Sequence, residues 1–187
     1  MGDWPVLRTE RLLLRGWSDE DRAAFAAINA DPRVMAFLGA PLTRQQSDAF
    51  ADRIGDKFEQ QGFGLWAVEV LGGAPFIGFV GLNIPVFDAP FMPAVEIGWR
   101  LDPAFWGRGY ATQAARAVLD FGFRAAGLEE IVAFTATCNL RSRAVMERLG
   151  MTIDPRDDFE HPLVEDGSPL RAHVLYRIQA PEGGDAR

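Results

Sequence analysis

The sequence holds little that could cross-link the chain or bind a metal: Cys138 is its only cysteine, and His161 and His173 are its only histidines. A single cysteine excludes an internal disulfide framework and points to a reducing compartment. Cys138 itself is expected as a small buried hydrophobe rather than a nucleophile. The two histidines stand far apart in sequence without other ligand types beside them, so no metal site is expected. No window reaches the roughly 20 apolar residues of a membrane span. Nothing in Met1 to Arg15 pairs a basic region with a long apolar run, so no signal peptide is expected, and Val6 stands where a myristoylation motif needs Ser or Thr. Basic side chains are in deficit, 19 Lys+Arg against 26 Asp+Glu, for a formal charge of −7. That balance disfavours nucleic acid and anionic membrane and suits a cationic or amine-bearing partner. Internal repeats and low-complexity segments are absent, and a cytoplasmic protein is expected.

What the chain does have is bulk: 187 residues, 48% of them hydrophobic. That suits one domain, residues 1–187, with a core over about 7–178 and a frayed tail from Gln179. Leu7 to Arg15 reads as a first strand. Ser18 before Asp19-Glu20-Asp21 is N-cap chemistry, opening a helix that stops near Asp31-Pro32. Thr43 with Gln46 forms a capping-box pattern for a long amphipathic helix ended by Gly62, and Phe37, Phe50 and Phe58 make the resulting cover partly aromatic. Leu65–Leu71 and Phe76–Leu82 around Gly72-Gly73 read as a hairpin. Ala94–Leu101 is extended in character and reads as the next strand. Glu130–Thr137 is a buried strand parallel to it, because a helix connects the two. Asn139 starts a second helix that Gly150 stops. Residues 154–169 look irregular, and His173–Ile178 reads as the last strand.

The stretch with the most chemistry in it is Trp106-Gly107-Arg108-Gly109-Tyr110-Ala111-Thr112, where a strand gives way to a helix. Two glycines let the main chain approach a ligand, and the unpaired N–H groups of a first helical turn converge on negative charge. Arg108 can add a guanidinium to the same spot. A second polar pair, Asn139 and Ser142, sits three apart at a helix start. Asn139 is either a plain N-cap or a ligand-binding amide, and both readings stay open.

Taken together, Glu96-Ile97-Gly98-Trp99-Arg100-Leu101, the Trp106–Thr112 turn, and Asn139-Leu140-Arg141-Ser142-Arg143-Ala144 ending in Glu147–Met151 resemble the GCN5-related N-acetyltransferases (GNATs). The likeness is to the RimJ/RimL-like branch that acetylates ribosomal-protein N-termini. It covers nearly the whole chain. The family signature carries Gln or Arg three positions before its central glycine; Trp106 stands there, as is usual in that branch.

The resemblance implies an α+β fold: a mixed, mostly antiparallel sheet of about seven strands, splayed between the Glu96 and Ile131 strands and flanked by about four helices. It implies acetyl-CoA as co-substrate and no metal. Pantetheine would pair with the main chain at Ile97, Trp99, Arg100 and Leu101, and the diphosphate would rest on Trp106, Gly107, Arg108, Gly109, Tyr110, Ala111 and Thr112. Asn139, Ser142 and Arg143 would also touch the cofactor.

Acetyl transfer to a primary amine by direct attack needs a proton acceptor, because amines titrate near ~8 to ~10.4. Glu96 is the first candidate, with a structural glutamate as the alternative; His161 or His173 would serve if either reached the acceptor. Ser142 and Tyr176 are the candidates for protonating the thiolate, with Asn139 beside them. An acyl-Cys138 route ranks below direct attack. The acceptor is an amine on a protein N-terminus, a peptide or a small molecule. A non-catalytic acyl-CoA sensor is the competing class, and a homodimer is left open.

Overall fold

The computed structural model describes residues 4–181. They fall into two compact units, one up to Asn83 together with Ile97–Val118, the other Ile84–Glu96 together with the chain from Leu119. Among the described residues no helix is long and apolar enough to cross a membrane.

The first unit begins with β1 (Leu7–Arg8) and β2 (Leu12–Arg15), a hairpin with Leu7 opposite Leu14, where one strand was expected. Thr9 makes the turn: its hydroxyl accepts from Leu12 N–H at 2.9 Å and donates to Leu12 O at 3.3 Å. Next to β2 lies β3 (Leu65–Val70), with Leu14 opposite Val68, and then β4 (Gly78–Asn83), with Trp66 opposite Val80. The Gly-Gly turn joins β3 and β4 as expected, with Gly72 at φ +69°. β5 (Glu96–Leu101) follows β4 in strand order.

Gly78 fixes how close β4 and β5 come. Its φ is +125°, and a Cβ there would lie 2.1 Å from Arg100 O and 2.9 Å from Leu101 Cα. Only glycine fits that contact.

Three helices belong to this unit: α1 (Asp21–Ala30), the short α2 (Pro32–Met35) and α3 (Arg44–Gln61). Ser18 does not cap α1. Instead Asp21, 2% exposed, accepts from Ser18 N–H at 2.8 Å and is gripped by both terminal nitrogens of Arg15, at 2.8 and 2.9 Å. The bidentate clamp compensates a carboxylate that burial would otherwise penalise. α1 and α3 lay Phe25 and Phe50 on Phe79, with ring centroids 6.0 Å apart in each case, and Trp17 closes the cluster 4.8 Å from Phe25. Lys57, the only lysine in the sequence, donates from α3 to Asn83 Oδ1 at the end of β4, 2.8 Å away.

The capping box at α3 is formed in full: Gln46 N–H donates to Thr43 Oγ1 at 3.2 Å, and Thr43 N–H to Gln46 Oε1 at 2.8 Å. Gly62, left-handed at φ +72°, ends the helix. Thr43→Ala should lower stability by about 1 kcal/mol, the usual cost of an N-cap. A urea-melting midpoint that does not move would show α3 held by packing alone.

α4 (Tyr110–Arg124) starts in the first unit and ends in the second. In the second unit, Glu96 lies opposite Val132 of β6 (Glu130–Ala136) in parallel register, and Val132 N–H donates to Val95 O at 2.9 Å. β6 runs antiparallel to β9 (Ala172–Gln179), with Phe134 opposite Leu175. Two short strands also pair with β9: β7 (Thr152–Ile153) and β8 (Phe159–Glu160). α5 (Leu140–Arg148) follows its cap Asn139.

The fold is the mixed α+β arrangement expected, with nine strands instead of about seven and five α-helices instead of about four among the described residues. The extra elements are two- to four-residue pieces that leave no periodicity to read. Gln179 still belongs to β9, and Ala180 N–H donates to Glu129 O at 2.8 Å; the rest of the tail, 182–187, lies outside the described residues.

Candidate active site

In the first unit the candidate site is the turn into α4. Asp102 accepts from Ala104 N–H at 2.8 Å and starts a 3-10 turn, Pro103–Phe105, and Trp106 Nε1 then donates to Leu101 O at 2.8 Å. These bonds fix the exit of β5 against the start of α4. Gly107 and Gly109 take φ +73° and +78°, and nothing lies within 4 Å of where a Cβ on Gly107 would sit. The result is an exposed main-chain cradle at the positive end of a 15-residue helix.

The Arg108 guanidinium lies over the Phe105 ring, 5.5 Å from the centroid. Arg11, which the sequence did not suggest, also reaches this turn. Its Nε donates to Gln113 Oε1 at 2.9 Å and its Nη1 to Arg108 O at 3.1 Å. Its Nη2 stands 3.6 Å from the position of a Gly109 Cβ, and the guanidinium covers Tyr110 at 4.9 Å. The separation of 97 residues between Arg11 and Arg108 hides the contact from any local reading.

On β5, Ile97 and Leu101 point into the core, 1% and 5% exposed, so a ligand could meet them only through main chain. Trp99 is half-buried. The Arg100 side chain turns to the α1 helix instead: Nη1 donates to Asn29 Oδ1 at 2.6 Å, and the guanidinium stacks on Phe50 and Phe79 at 5.3 and 5.5 Å. Burial without a carboxylate partner pulls it down to about 10, so it stays charged at neutral pH.

The second unit divides its candidates by sheet face. Residues opposite each other in a ladder share a face, and neighbours along a strand alternate. Glu96, Val132, Phe134 and His173 are therefore on one face; Thr135 and Tyr176 are on the other, with α5. On the α5 face, Asn139 Oδ1 accepts from Ser142 N–H at 3.3 Å, while Nδ2 donates to Thr135 Oγ1 at 2.9 Å and to Ser142 Oγ at 3.1 Å. Asn139 is thus a cap, with both amide hydrogens engaged. Because Ser142 Oγ accepts from that amide, its own hydrogen is free to point elsewhere.

Tyr176, 2% exposed, donates to Glu147 Oε1 at 3.3 Å and accepts from Arg143 Nε at 3.4 Å. Arg143 Nη1 donates to Thr137 O at 3.0 Å, so this side chain is turned inward. Cys138 is exposed, not buried as expected.

On the opposite face the two histidines come together, ring centroids 4.8 Å apart, because β8 sets Phe159 opposite His173 and His161 follows two residues later. Burial pulls both imidazoles below their ordinary range, and for His161 the neighbouring His173 adds to the effect. Among the described residues no group of three or more His, Cys, Asp or Glu could hold a metal ion.

A family model described as an acetyltransferase (GNAT) domain matches residues 11–152. The chain is similar to the FsC-acetyl coenzyme A-N(2)-transacetylase of Aspergillus fumigatus, 33% identical over 155 residues, which is 79% of this chain and 65% of that protein. It thus spans less than two thirds of that relative. A solved acetyltransferase from Agrobacterium tumefaciens is 30% identical, with 96% of each chain covered and a TM-score of 0.75. RimL, a ribosomal L7/L12 alpha-N-protein acetyltransferase solved with coenzyme A, shares the fold at a TM-score of 0.75 over 94% of this chain and 98% of its own, at 17% identity.

Proposed function

Because the chain belongs to the GNAT family of acetyltransferases, we propose that it moves the acetyl group of acetyl-CoA to a primary amine by direct attack of nitrogen on the thioester. The observation that carries the reading is the Gly107/Gly109 cradle, with left-handed glycines at φ +73° and +78° opening α4 and the Arg11 guanidinium beside it. A diphosphate there would meet first-turn N–H groups, a helix dipole and a fixed cation together. Main chain at Trp99, Arg100 and Leu101 would pair with the pantetheine amides as another strand would.

The chemistry divides with the sheet faces. The proton acceptor for the amine comes from the face of Glu96, His161 and His173. The donor to the departing thiolate comes from the α5 face, and Ser142 suits it better than Tyr176, whose hydroxyl is held by Glu147 and Arg143. Main-chain N–H groups near Ile97 and Gly98 would hold the oxyanion. The N(2)-transacetylase name of one relative and the alpha-N-protein activity of RimL both support nitrogen as the acceptor atom. A protein N-terminus and a small amine both fit this chemistry.

Thiol release from acetyl-CoA, followed while amines and peptides are added, tests the reading. Release should rise with an acceptor; tight CoA binding without release across the whole panel would sink the enzyme in favour of a sensor. Ser142→Ala should lower kcat roughly tenfold with little change in CoA affinity. That is less than a general acid can contribute elsewhere, because a thiolate leaves readily. An unchanged kcat would remove Ser142 from the mechanism.

A further inference from the structure

Six rings gather on the sheet face that carries Glu96. Phe87 and Phe91 come from the segment before β5, Phe134 from β6, Phe159 from β8, His161 from the chain after it, and His173 from β9. Phe87 lies 5.6 Å from Phe134 and 4.6 Å from His161; Phe159 lies 5.7 Å from Phe134 and 5.5 Å from His173. Phe91 closes the group 5.0 Å from Phe159. In contrast to Phe25 and Phe79 of the first unit, the four phenylalanines here are only half-buried. Half-exposed ring faces are a surface that attracts a desolvating cation.

The hydrogen bonds fix the tautomers. His173 Nδ1 faces Arg171 O at 3.0 Å, and since a carbonyl only accepts, Nδ1 carries the proton and Nε2 keeps its lone pair. His161 Nδ1 accepts from Leu163 N–H at 3.3 Å, so its proton is on Nε2. Burial favours the neutral form of both rings, which lessens their repulsion of a positive charge.

The surrounding charge has one sign in excess. Residues 154–166 contain Asp154, Asp157, Asp158, Glu160, Glu165 and Asp166 against the single base Arg156. Arg171 reaches Glu160 and Asp166, and Arg177 reaches Asp157 and Glu130, which still leaves acid uncompensated.

We propose that this ring cluster is the acceptor subsite, that it takes a primary alkylammonium with hydrocarbon rather than carboxylate beside the amine, and that His173 Nε2 receives the proton the amine must lose. The assignment rests on the acetyl-transfer reading above and narrows it. The ammonium N–H bond breaks and an Nε2–H bond forms, with Arg171 O steadying the resulting imidazolium through Nδ1–H. The free amine then attacks the thioester carbonyl carbon. As the C–N bond is completed, the C–S bond breaks and its electron pair leaves on the thiolate, which is protonated from the α5 face. The nitrogen gives its second proton to water, His173 later does the same, and the donor on the α5 face regains its proton from water. The products are the amide, the thiol and one net proton. The charged and titratable groups nearest His173 are Glu160 on β8, His161 after it and Arg171 on the approach to its own strand; Glu96 and Arg177 share the face but sit beside Val132, four residues along β6 from the Ala136 opposite His173. Glu160 favours the protonated ring.

The test uses the full chain with acetyl-CoA and a matched pair of acceptors: n-pentylamine, and norleucine, which is pentylamine bearing a carboxylate on the amine carbon. The wild-type protein should prefer pentylamine by about tenfold or more in kcat/KM. His173→Gln should lower kcat on pentylamine about 100-fold, the low end of what a general base contributes, and remove the acid limb of the pH profile. Phe159→Leu should instead raise KM about fivefold and keep kcat, which also covers the case in which His173→Gln fails to fold. Coenzyme A affinity should be unchanged in both. Equal or better use of norleucine, or of a peptide N-terminus with pentylamine refused, overturns the subsite. An unchanged kcat and pH profile in folded His173→Gln overturns the base. If no amine is acetylated although coenzyme A binds, the transferase reading itself fails, a result distinct from either.

Discussion

Gly109→Trp should weaken coenzyme A binding by about 100-fold or more while leaving a folded protein. At φ +78° any side chain is strained, by about 1–2 kcal/mol, but a Cβ here meets only Arg11 Nη2 at 3.6 Å, so the domain tolerates the change. The indole beyond that Cβ would cover the amides of Tyr110 to Thr112 and displace the Arg11 guanidinium. Loss of the diphosphate contacts should weaken Kd by about 100-fold or more, about 2.7 kcal/mol. Gly62→Trp is the control: it carries the same left-handed strain at φ +72°, with nothing within 4 Å, away from the cradle. Calorimetric titration should find affinity lost in the first variant and kept in the second. Normal affinity in Gly109→Trp would remove the cradle from the binding site.

Gly78→Ala should have the larger effect on stability. Its added methyl would meet main chain, not a flexible side chain, 2.1 Å from Arg100 O, and at φ +125° alanine is strained as well. Overpacking and backbone strain together come to about 4 kcal/mol, a large share of a typical domain's stability. The urea midpoint should fall steeply, and the folded remainder should bind coenzyme A poorly, because β5 would no longer sit where Trp99 to Leu101 are needed. A midpoint like that of the parent would mean that β4 slides off β5 without loss.

Features that one or two turns of chain encode were legible in the sequence. Thr43 with Gln46, Gly62 at a helix end, and Asn139 with Ser142 each announce a cap, and each is one. The same logic failed at Ser18, because Arg15 recruits Asp21 and leaves serine only its main-chain groups to offer. The Gly107/Gly109 turn was legible, but the guanidinium that bonds to its main chain was not: Arg108, the neighbour in sequence, turns to Phe105, and Arg11 arrives from the first hairpin. The histidines looked unrelated for the same reason. Only the register of β8 on β9, a two-residue strand within an apparently irregular stretch, brings them together.

If the chain works beside an activated thioester, as proposed, the bond from Lys57 to Asn83 Oδ1 has a chemical consequence. Acetyl-CoA acylates exposed amines slowly without help, and every lysine on a transferase is a target for its own reagent. Here the remaining cationic side chains are arginines, which stay protonated at neutral pH and so are not nucleophiles. The one ε-amine points its hydrogens at an amide oxygen, so the chain offers its own donor almost nothing to modify.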